Sequence, residues 1–221
     1  DPQPAQSCLA GWKSEQLRRR DQPSEHNLNK HMNQEMSETN FRMPDGVNIR
    51  IRPAQAEDLP GMEWEGQYAH FRKLYNQHFQ NSRTGNTRIW VAETELGEII
   101  GQVFLLLYSR QPELADGIHR AYLFSFRVKP VFRGQGLGSY MLEFMEKFLL
   151  EKGFDTLRLN VGRQNEMARQ MYEKHGYAVI GPEEGRWRYE DQFGRWQYVH
   201  EPAWRMVKRL KPTSSQSDEL I

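Results

Sequence analysis

The chain has 221 residues, 38% of them hydrophobic and 12% aromatic, which is enough for one folded domain with a sizeable core. Its 30 basic and 29 acidic residues leave a formal charge of +1, so nothing in the balance indicates a nucleic-acid or membrane-surface partner. The single cysteine, Cys8, excludes an internal disulfide, and the seven histidines show no ligand spacing, so no bound metal is predicted. No apolar run reaches the roughly 18 to 20 residues that span a bilayer, and no signal-peptide layout is present, so a cytoplasmic location is expected.

Both ends of the chain are polar. Residues 1–45 lack a sustained apolar period and are predicted to be a disordered polar tail, residues 212–221 are predicted to be a polar C-terminal tail, and one domain is predicted over 46–211. The sequence from Met36 reads like a natural start. We therefore hypothesise that residues 1–35 are leader or added sequence, and whether they belong to the native protein stays open.

The first half of the domain predicts a strand, two helices and a hairpin. Val47, Ile49 and Ile51 alternate with polar neighbours, which indicates a half-buried strand that ends at Pro53. Residues 56–79 carry apolar positions at helical spacing and are broken near residues 60 and 61, so a short helix and a longer one are predicted. Residues 87–109 predict two strands joined by a tight turn at 95–97, where Gly97 supplies the positive φ.

The second half alternates strands and helices. Residues 121–129 are almost continuously apolar, as expected for a central strand, and lead into a loop with glycines at 134, 136 and 138. The next helix should end at Gly153. A strand over 155–161 follows, then a helix that begins after Asn165 and ends at Gly176. Residues 177–210 predict further strands with a turn at 193–194. The apolar side of the first of these helices consists of Leu137, Met141, Leu142, Met145, Phe148 and Leu149.

The glycine loop has the layout of an anion-binding site. A phosphate-binding P-loop needs a Lys before the Ser or Thr, and here Ser139 follows Gly138 directly. A dinucleotide fingerprint needs a glycine at position 139 and an acidic residue after a later strand, and both are missing. An Arg-x-x-Gly-x-Gly string remains, between a strand and a helix. Its free N–H groups and the positive helix end would hold a pyrophosphate.

Two segments carry a resemblance to a known family. The stretch "FRVKPVFRGQGLGSYML" resembles the acyl-CoA-binding motif of the GNAT superfamily of N-acetyltransferases, and "NVGRQNEMARQMYEKHGY" resembles its second motif. The resemblance implies a single α/β domain: a twisted mixed sheet with helices on both faces and two central strands that splay apart. It also implies transfer of an acetyl group from the cosubstrate acetyl-CoA to a primary amine by direct attack. The alternative is a non-catalytic acyl-CoA-binding or regulatory module.

The resemblance also assigns roles to residues of the two motifs. It places the acetyl-pantetheine against the backbone of Phe126, Arg127 and Val128. Asn165 would help to hold the cosubstrate, although by itself it would be a helix N-cap. Tyr172, followed by Gly176 and Tyr177 in the second motif, would protonate the departing thiolate; without that motif it would be a core aromatic. The pyrophosphate would be held by Arg133, Gly134, Gln135, Gly136, Leu137, Gly138 and Ser139.

The general base and the acceptor are not fixed by these motifs. Members that acetylate protein N-termini often carry a Glu where this chain has Asn160, which cannot take a proton. Glu63 and Glu65, near the expected acceptor site, are the candidate bases; the alternative, a solvated helix face, is the commoner reason for such residues. His119 and Tyr122 could line the other side. An aromatic and basic C-terminal stretch could wall an acceptor pocket, form an ordinary hairpin, or pair between protomers in a homodimer: Trp187, Arg188, Tyr189, Trp196, Tyr198, His200 and Trp204.

Overall fold

The structure, a computed structural model, describes residues 38–211 and contains an eight-stranded sheet and a separate two-stranded hairpin. The strands are β1 (Thr39–Arg42), β2 (Asn48–Pro53), β3 (Thr87–Thr94), β4 (Ile99–Leu106), β5 (Arg120–Val128), β6 (Thr156–Gly162), β7 (Ala178–Glu183), β8 (Arg186–Glu190), β9 (Trp196–His200) and β10 (Ala203–Arg209). The helices are α1 (Arg72–Arg83), α2 (Leu137–Glu151) and α3 (Glu166–Lys174). In this part of the chain no helix is long and apolar enough to cross a membrane.

The sheet is mixed. Its order is β1, β2, β3, β4, β5, β6, β10, β7, and β8 pairs with β9 in the hairpin. The β5–β6 pair is parallel, whereas the other neighbours run antiparallel. Helices α2 and α3 cover one face, where Met141 and Tyr172 join the core; α1 covers the other face, where Tyr75 joins a second core. The predicted α/β architecture with helices on both faces is confirmed.

A strand lies within the segment that the sequence analysis assigned to the N-terminal tail. Residues 39–42, predicted to belong to the N-terminal tail, form β1, which pairs with β2 from Thr39↔Ile51 to Arg42↔Asn48. The segment has one large apolar side chain, Phe41, and an edge strand gains most of its hydrogen bonds from its neighbour rather than from its own pattern. The rest of the predicted N-terminal tail and the tail at 212–221 lie outside the described residues.

The segment before α1 is also more irregular than predicted. In place of a short helix it forms three 3-10 turns, Ala56–Asp58, Gly61–Glu63 and Ala69–Phe71, and the longer helix begins only at Arg72. Trp64 and Glu65 adopt positive φ values of 46° and 54° after the turn at Gly61–Glu63. Left-handed backbone cannot continue a right-handed helix, so the chain turns there before it enters α1.

The elements around the two motifs agree with the sequence predictions. The six apolar positions assigned to α2 are all buried, and that helix is followed by Gly153 at a φ of 85°. Asn165 is the N-cap of α3, since its side chain accepts a hydrogen bond from Ala168 N (3.2 Å), and Gly176 follows the helix at a φ of 84°. The tight turn at 95–97, with Gly97 at a φ of 80°, is confirmed as well.

Candidate active site

A bulge in β5 opens the centre of the sheet. Gln102 pairs with Arg127, and Phe104 pairs with Phe124. Two residues of β5, at 125 and 126, therefore lie opposite one residue of β4, at 103. Ser125 has a φ of 48°, unusual for a residue other than glycine. The parallel pairing of β5 with β6 runs from Arg120↔Thr156 to Leu123↔Leu159, although both strands continue beyond it. The central strands therefore separate at their carboxyl ends, just where the bulge bends β5.

The backbone of Val128 points into this opening. Lys129 N donates to Ile100 O at 2.7 Å, and the register pairs Val128 with Gly101. Hydrogen-bonded and non-hydrogen-bonded pairs alternate in an antiparallel ladder, so the Val128 N–H and C=O are directed away from β4 and toward β6. In keeping with this direction, Arg133 Nε donates to the Val128 carbonyl oxygen at 2.7 Å. The Val128 N–H is thus positioned as a donor within the opening.

The glycine loop forms a concave helix entry. Gly134 and Gly136 have φ values of 74° and 90°, a region that favours glycine, and a Cβ atom at Gly134 would meet nothing within 4 Å. Gly136 is the N-cap of α2 and provides no side-chain cap, so the first-turn N–H groups have no acceptor within the helix. A Cβ at Gly136 would lie 3.4 Å from the ring of Phe41, which packs on Tyr140 with ring centroids 5.0 Å apart.

This loop fits a pyrophosphate. The helix end combines unpaired N–H donors with the positive end of the α2 dipole, and open space faces Gly134. The residues predicted to contact the cosubstrate lie along one path: residues 133–139 at the helix entry and residues 126–128 beside the opening. Their roles toward acetyl-CoA stay predictions.

The two predicted side chains of the second motif lie on α3. Asn165 serves as the helix N-cap. Tyr172 is buried in the α2–α3 core and contacts Tyr177 edge-on, with ring centroids 5.6 Å apart. Tyr177 OH donates to Glu146 Oε1 at 2.9 Å, and Lys208 binds the same carboxylate. This polar cluster ties α2 to β10 and to the segment that follows α3.

The two candidate bases both form ion pairs. Glu63 is buried and accepts from Arg72 through both carboxylate oxygens at 2.7 Å. Glu65 is exposed and lies 2.7 Å from Lys129 Nζ, which also binds Glu98. Each carboxylate therefore neutralises a neighbouring cation, and its role as base stays a prediction.

The face opposite the glycine loop carries an arginine held among aromatic rings. The Arg127 guanidinium lies 4.1 Å from the ring centroid of Tyr68 and 5.2 Å from that of Phe71. It donates to Tyr75 OH at 2.6 Å. Beneath it, Gln102 Nε2 donates to Ser125 Oγ at 2.9 Å, which ties this cluster to the bulge. The opening therefore has the loop of α2 on one face and a fixed cation on the other.

The β8–β9 hairpin extends over this second face. In the chain, the hairpin follows β7 and precedes β10. Its inner side chains, Trp187 and Tyr189, pack on Phe71. Lys73 of α1 forms an ion pair with Glu190 of β8. The predicted turn at 193–194 is confirmed. Of the aromatic stretch, Trp187 and Tyr189 face inward against the second core, whereas Trp196 and Tyr198 are exposed.

Two titratable groups near Arg127 were missed in the sequence analysis. Glu201 is half-buried at the base of the hairpin; burial raises its pKa to about 7, and the Arg127 charge offsets part of that effect. Burial and the Arg127 charge lower the pKa of His70, against the opposing effect of Asp191. Neither residue belongs to a recognisable motif. Their common feature, proximity to Arg127, exists only in the folded chain.

Two other predicted residues lie elsewhere. His119 precedes β5 at its amino end and pairs with Asp155 at 3.3 Å, so it is at the far end of the strand from Val128. Tyr122 is buried against Phe124 in the second core. Neither lines the opening, because the strands separate only at their carboxyl ends. Among residues 38–211 no group of three or more His, Cys, Asp or Glu side chains could hold a metal ion.

The structure thus combines a mixed sheet whose central strands separate with a helix entry that has the N–H donors an anion would need. Residues 51–177, more than half of the chain, match the model of the Acetyltransferase (GNAT) family. The chain belongs to this family. An uncharacterized N-acetyltransferase of Bacillus subtilis, YdgE, is 29% identical over 153 residues, which cover 66% of this chain and 90% of YdgE. The spermidine N(1)-acetyltransferase of Escherichia coli K12 is 26% identical over 156 residues, covering 63% of this chain and 77% of the relative.

Solved structures agree on the fold. An N-acetyltransferase from Staphylococcus aureus Mu50 is similar with a TM-score of 0.57 at 19% identity, over 74% of this chain and 99% of that one. The ribosomal-protein-S18-alanine N-acetyltransferase of Escherichia coli gives a TM-score of 0.53 at 22% identity, over 76% of this chain and 97% of that one. These relatives act on different acceptors by name, so the fold alone leaves the acceptor undecided.

Proposed function

We propose that this protein transfers an acetyl group from acetyl-CoA to a primary amine of a small-molecule, peptide or protein acceptor. The observation that carries the proposal is the juxtaposition of the glycine loop with the β5–β6 opening. The loop would hold a pyrophosphate on backbone N–H groups, and the opening would admit the pantetheine arm between the strands. Acetyl-CoA would supply an activated acyl group as its thioester.

The residues of the chain divide the chemistry between them. The Val128 N–H donates a hydrogen bond to the thioester oxygen as negative charge develops there, an effect worth a few kcal/mol in other enzymes. Tyr172 donates its proton to the departing sulfur; a phenol with a reference pKa of about 10 can protonate a thiolate of about 8.5 or above. Arg127 and the hairpin wall lie on the face from which an acceptor would approach. Cytoplasmic location, absence of a metal and pairing of hairpins in a homodimer stay predictions.

Ligand-dependent unfolding tests the first half of the proposal. A ligand at about 100 times its dissociation constant adds about 2.7 kcal/mol of stability. At about 2 to 4 °C per kcal/mol for a chain of this size, acetyl-CoA and CoA should raise the unfolding midpoint by about 5 to 11 °C. NAD and ATP at equal concentration serve as controls. Equal shifts with all four, or none with acetyl-CoA, would contradict the assignment of the loop.

A matched pair of variants locates the site. Ser139→Glu adds a carboxylate to the first turn of α2, where it favours the helix but repels a pyrophosphate; Ser139→Gln adds the same bulk without charge. We expect the glutamate variant to lose the acetyl-CoA shift and the glutamine variant to keep most of it. An amine panel that contains spermidine, a peptide with a free α-amine and Nα-acetyl-lysine then tests for release of CoA thiol. Binding without thiol release from any amine would favour the non-catalytic module.

A further inference from the structure

We propose that Glu201 is the general base that takes the proton from the acceptor amine. The inference rests on the proposed function and names a residue that neither sequence motif contains.

The strand register puts Glu201 beside the opening. Ala203, two residues later, pairs with Gly162 at the carboxyl end of β6, the end at which β5 and β6 have separated. Side chains alternate between faces along a strand, and Val199 of β9, two residues before Glu201, packs against the second core. Since Glu201 N donates to Gly185 O and so continues the pairing of β9 with β8, the Glu201 side chain points to the same face, which is the face of Arg127.

The base of the hairpin fixes the Glu201 backbone. Its N–H donates to Gly185 O at 2.9 Å, which extends the pairing of Arg186 with His200 by one step. Gly185 has a φ of 67°, and a Cβ atom there would overlap the carbonyl group of Glu201. Pro202 O accepts from Arg163 N at 2.9 Å on the other side. A residue held on both sides of its peptide keeps a defined direction, as a positioned base requires.

Among residues 38–211, no basic side chain forms an ion pair with the Glu201 carboxylate. The Arg127 charge lowers the Glu201 pKa in part, yet no ion pair joins these two side chains. Other charged groups on adjacent elements are directed elsewhere: Glu184 binds Arg186, and the Arg163 guanidinium stacks on Trp204 at 4.5 Å.

Two further titratable groups complete the surroundings. Glu183, at the end of β7, is turned toward Gly185 N at 3.5 Å. His70, below the hairpin, packs on Phe71 and Tyr189 with ring centroids 4.1 and 5.8 Å away. Burial raises the Glu201 pKa to about 7, although the Arg127 charge lowers it in part. A carboxylate with that pKa is ionised in part at neutral pH and basic enough to accept a proton, whereas an ordinary glutamate is a much weaker base.

The step balances with the groups named. Glu201 accepts one proton from the acceptor ammonium, and the amine nitrogen forms a bond to the thioester carbon. The carbon–sulfur bond breaks, Tyr172 donates its proton to sulfur, and the second proton of the nitrogen returns to the phenolate. The products are the acetamide and CoA thiol, and the proton on Glu201 passes to water.

The test is the pH profile of kcat/KM for whichever of spermidine, the α-amino peptide and Nα-acetyl-lysine the wild type acetylates fastest. In the wild type the rate should rise tenfold per pH unit and level off above about pH 7, where Glu201 is ionised. Glu201→Gln preserves the shape and the backbone bond. We expect it to lower kcat/KM about 100-fold or more at pH 7 and to remove the inflection, so that the rate keeps rising with the ionisation of the amine itself.

Matched variants decide between the candidate carboxylates. Glu184→Gln, at the same hairpin base, should keep both rate and inflection. An unchanged pH profile in Glu201→Gln would refute the assignment. If the inflection is instead lost in Glu63→Gln, Glu65→Gln or His70→Gln, the substituted residue is the base and Glu201 is not. A carbon-13 titration of the Glu201 carboxyl should show a midpoint near 7 independently of activity, and a midpoint near 4.5 would also refute it. If the wild type acetylates no amine, the proposed function fails first and the base assignment with it.

Discussion

Gly185→Ala should weaken the protein far more than an equivalent substitution at Gly153. Both glycines have positive φ, 67° and 85°, so alanine is strained at each by about 1 to 2 kcal/mol. Alanine recovers about 0.4 to 1 kcal/mol by restricting the unfolded chain, which leaves a net cost of about 1 kcal/mol at Gly153, where a Cβ meets nothing within 4 Å. At Gly185 the Cβ would overlap the Glu201 carbonyl group and lie 3.1 Å from Pro202 N.

The overlap has to be relieved by moving the hairpin base. That motion breaks the bond from Glu201 N to Gly185 O, worth about 1 kcal/mol, and disturbs the packing of Trp187 on Phe71. We expect a total of at least about 3 kcal/mol, in the range of severe substitutions. Thermal unfolding should then show a loss of about 2 to 4 °C for Gly153→Ala and more than about 6 °C for Gly185→Ala. Values for the two variants within about 0.5 kcal/mol of each other would refute the reasoning.

Three further predictions concern the cosubstrate face and the ion pairs. Tyr172→Phe should lower acetyl transfer tens-fold without changing the acetyl-CoA dissociation constant, measured by titration calorimetry; equal loss of affinity would indicate a packing role alone. Phe41→Ala removes the ring that packs beside Gly136, so acetyl-CoA affinity should fall several-fold while the far-ultraviolet circular dichroism spectrum is retained. Unchanged affinity would mean that β1 does not help to shape the glycine loop. For Asp58, burial raises the pKa, but hydrogen bonds from Arg52 and the backbone outweigh it and the net pKa is lowered. The contribution of Asp58 to the free energy of unfolding is therefore present above its usual pKa and is lost as the pH falls below about 4. Between pH 5 and pH 3, the unfolding free energy of Asp58→Asn should drop less than that of the wild type. An equal drop would mean that another group controls stability in acid.

Local chemistry made the cosubstrate side predictable. The apolar stripe of α2, the N-cap at Asn165 and the glycines at helix ends act over a few neighbouring residues, and the structure bears them out. The glycine loop could be located for the same reason, because its conformation depends on glycines that are adjacent in the chain. The three 3-10 turns were harder to predict, since positive φ at Trp64 and Glu65 has no sequence signature.

The acceptor side depended on contacts between distant segments. β1 forms because β2 offers it an edge, and its single ring, Phe41, gave no periodic signal. Glu63 and Glu65 looked like free carboxylates in the sequence; folding brings Arg72 and Lys129 to them.

The sequence by itself determined the family, the α/β class and the place of the glycine loop at the start of a helix, because motifs and helix signals are encoded over short stretches. Tertiary structure alone decided where the sheet opens, through a bulge at Ser125 that no propensity predicts. It also decided that the β8–β9 hairpin packs on α1 and that Glu201 lies within reach of the Arg127 charge. Burial raises the pKa of a carboxyl group, and burial is a property of the folded chain rather than of any residue in it.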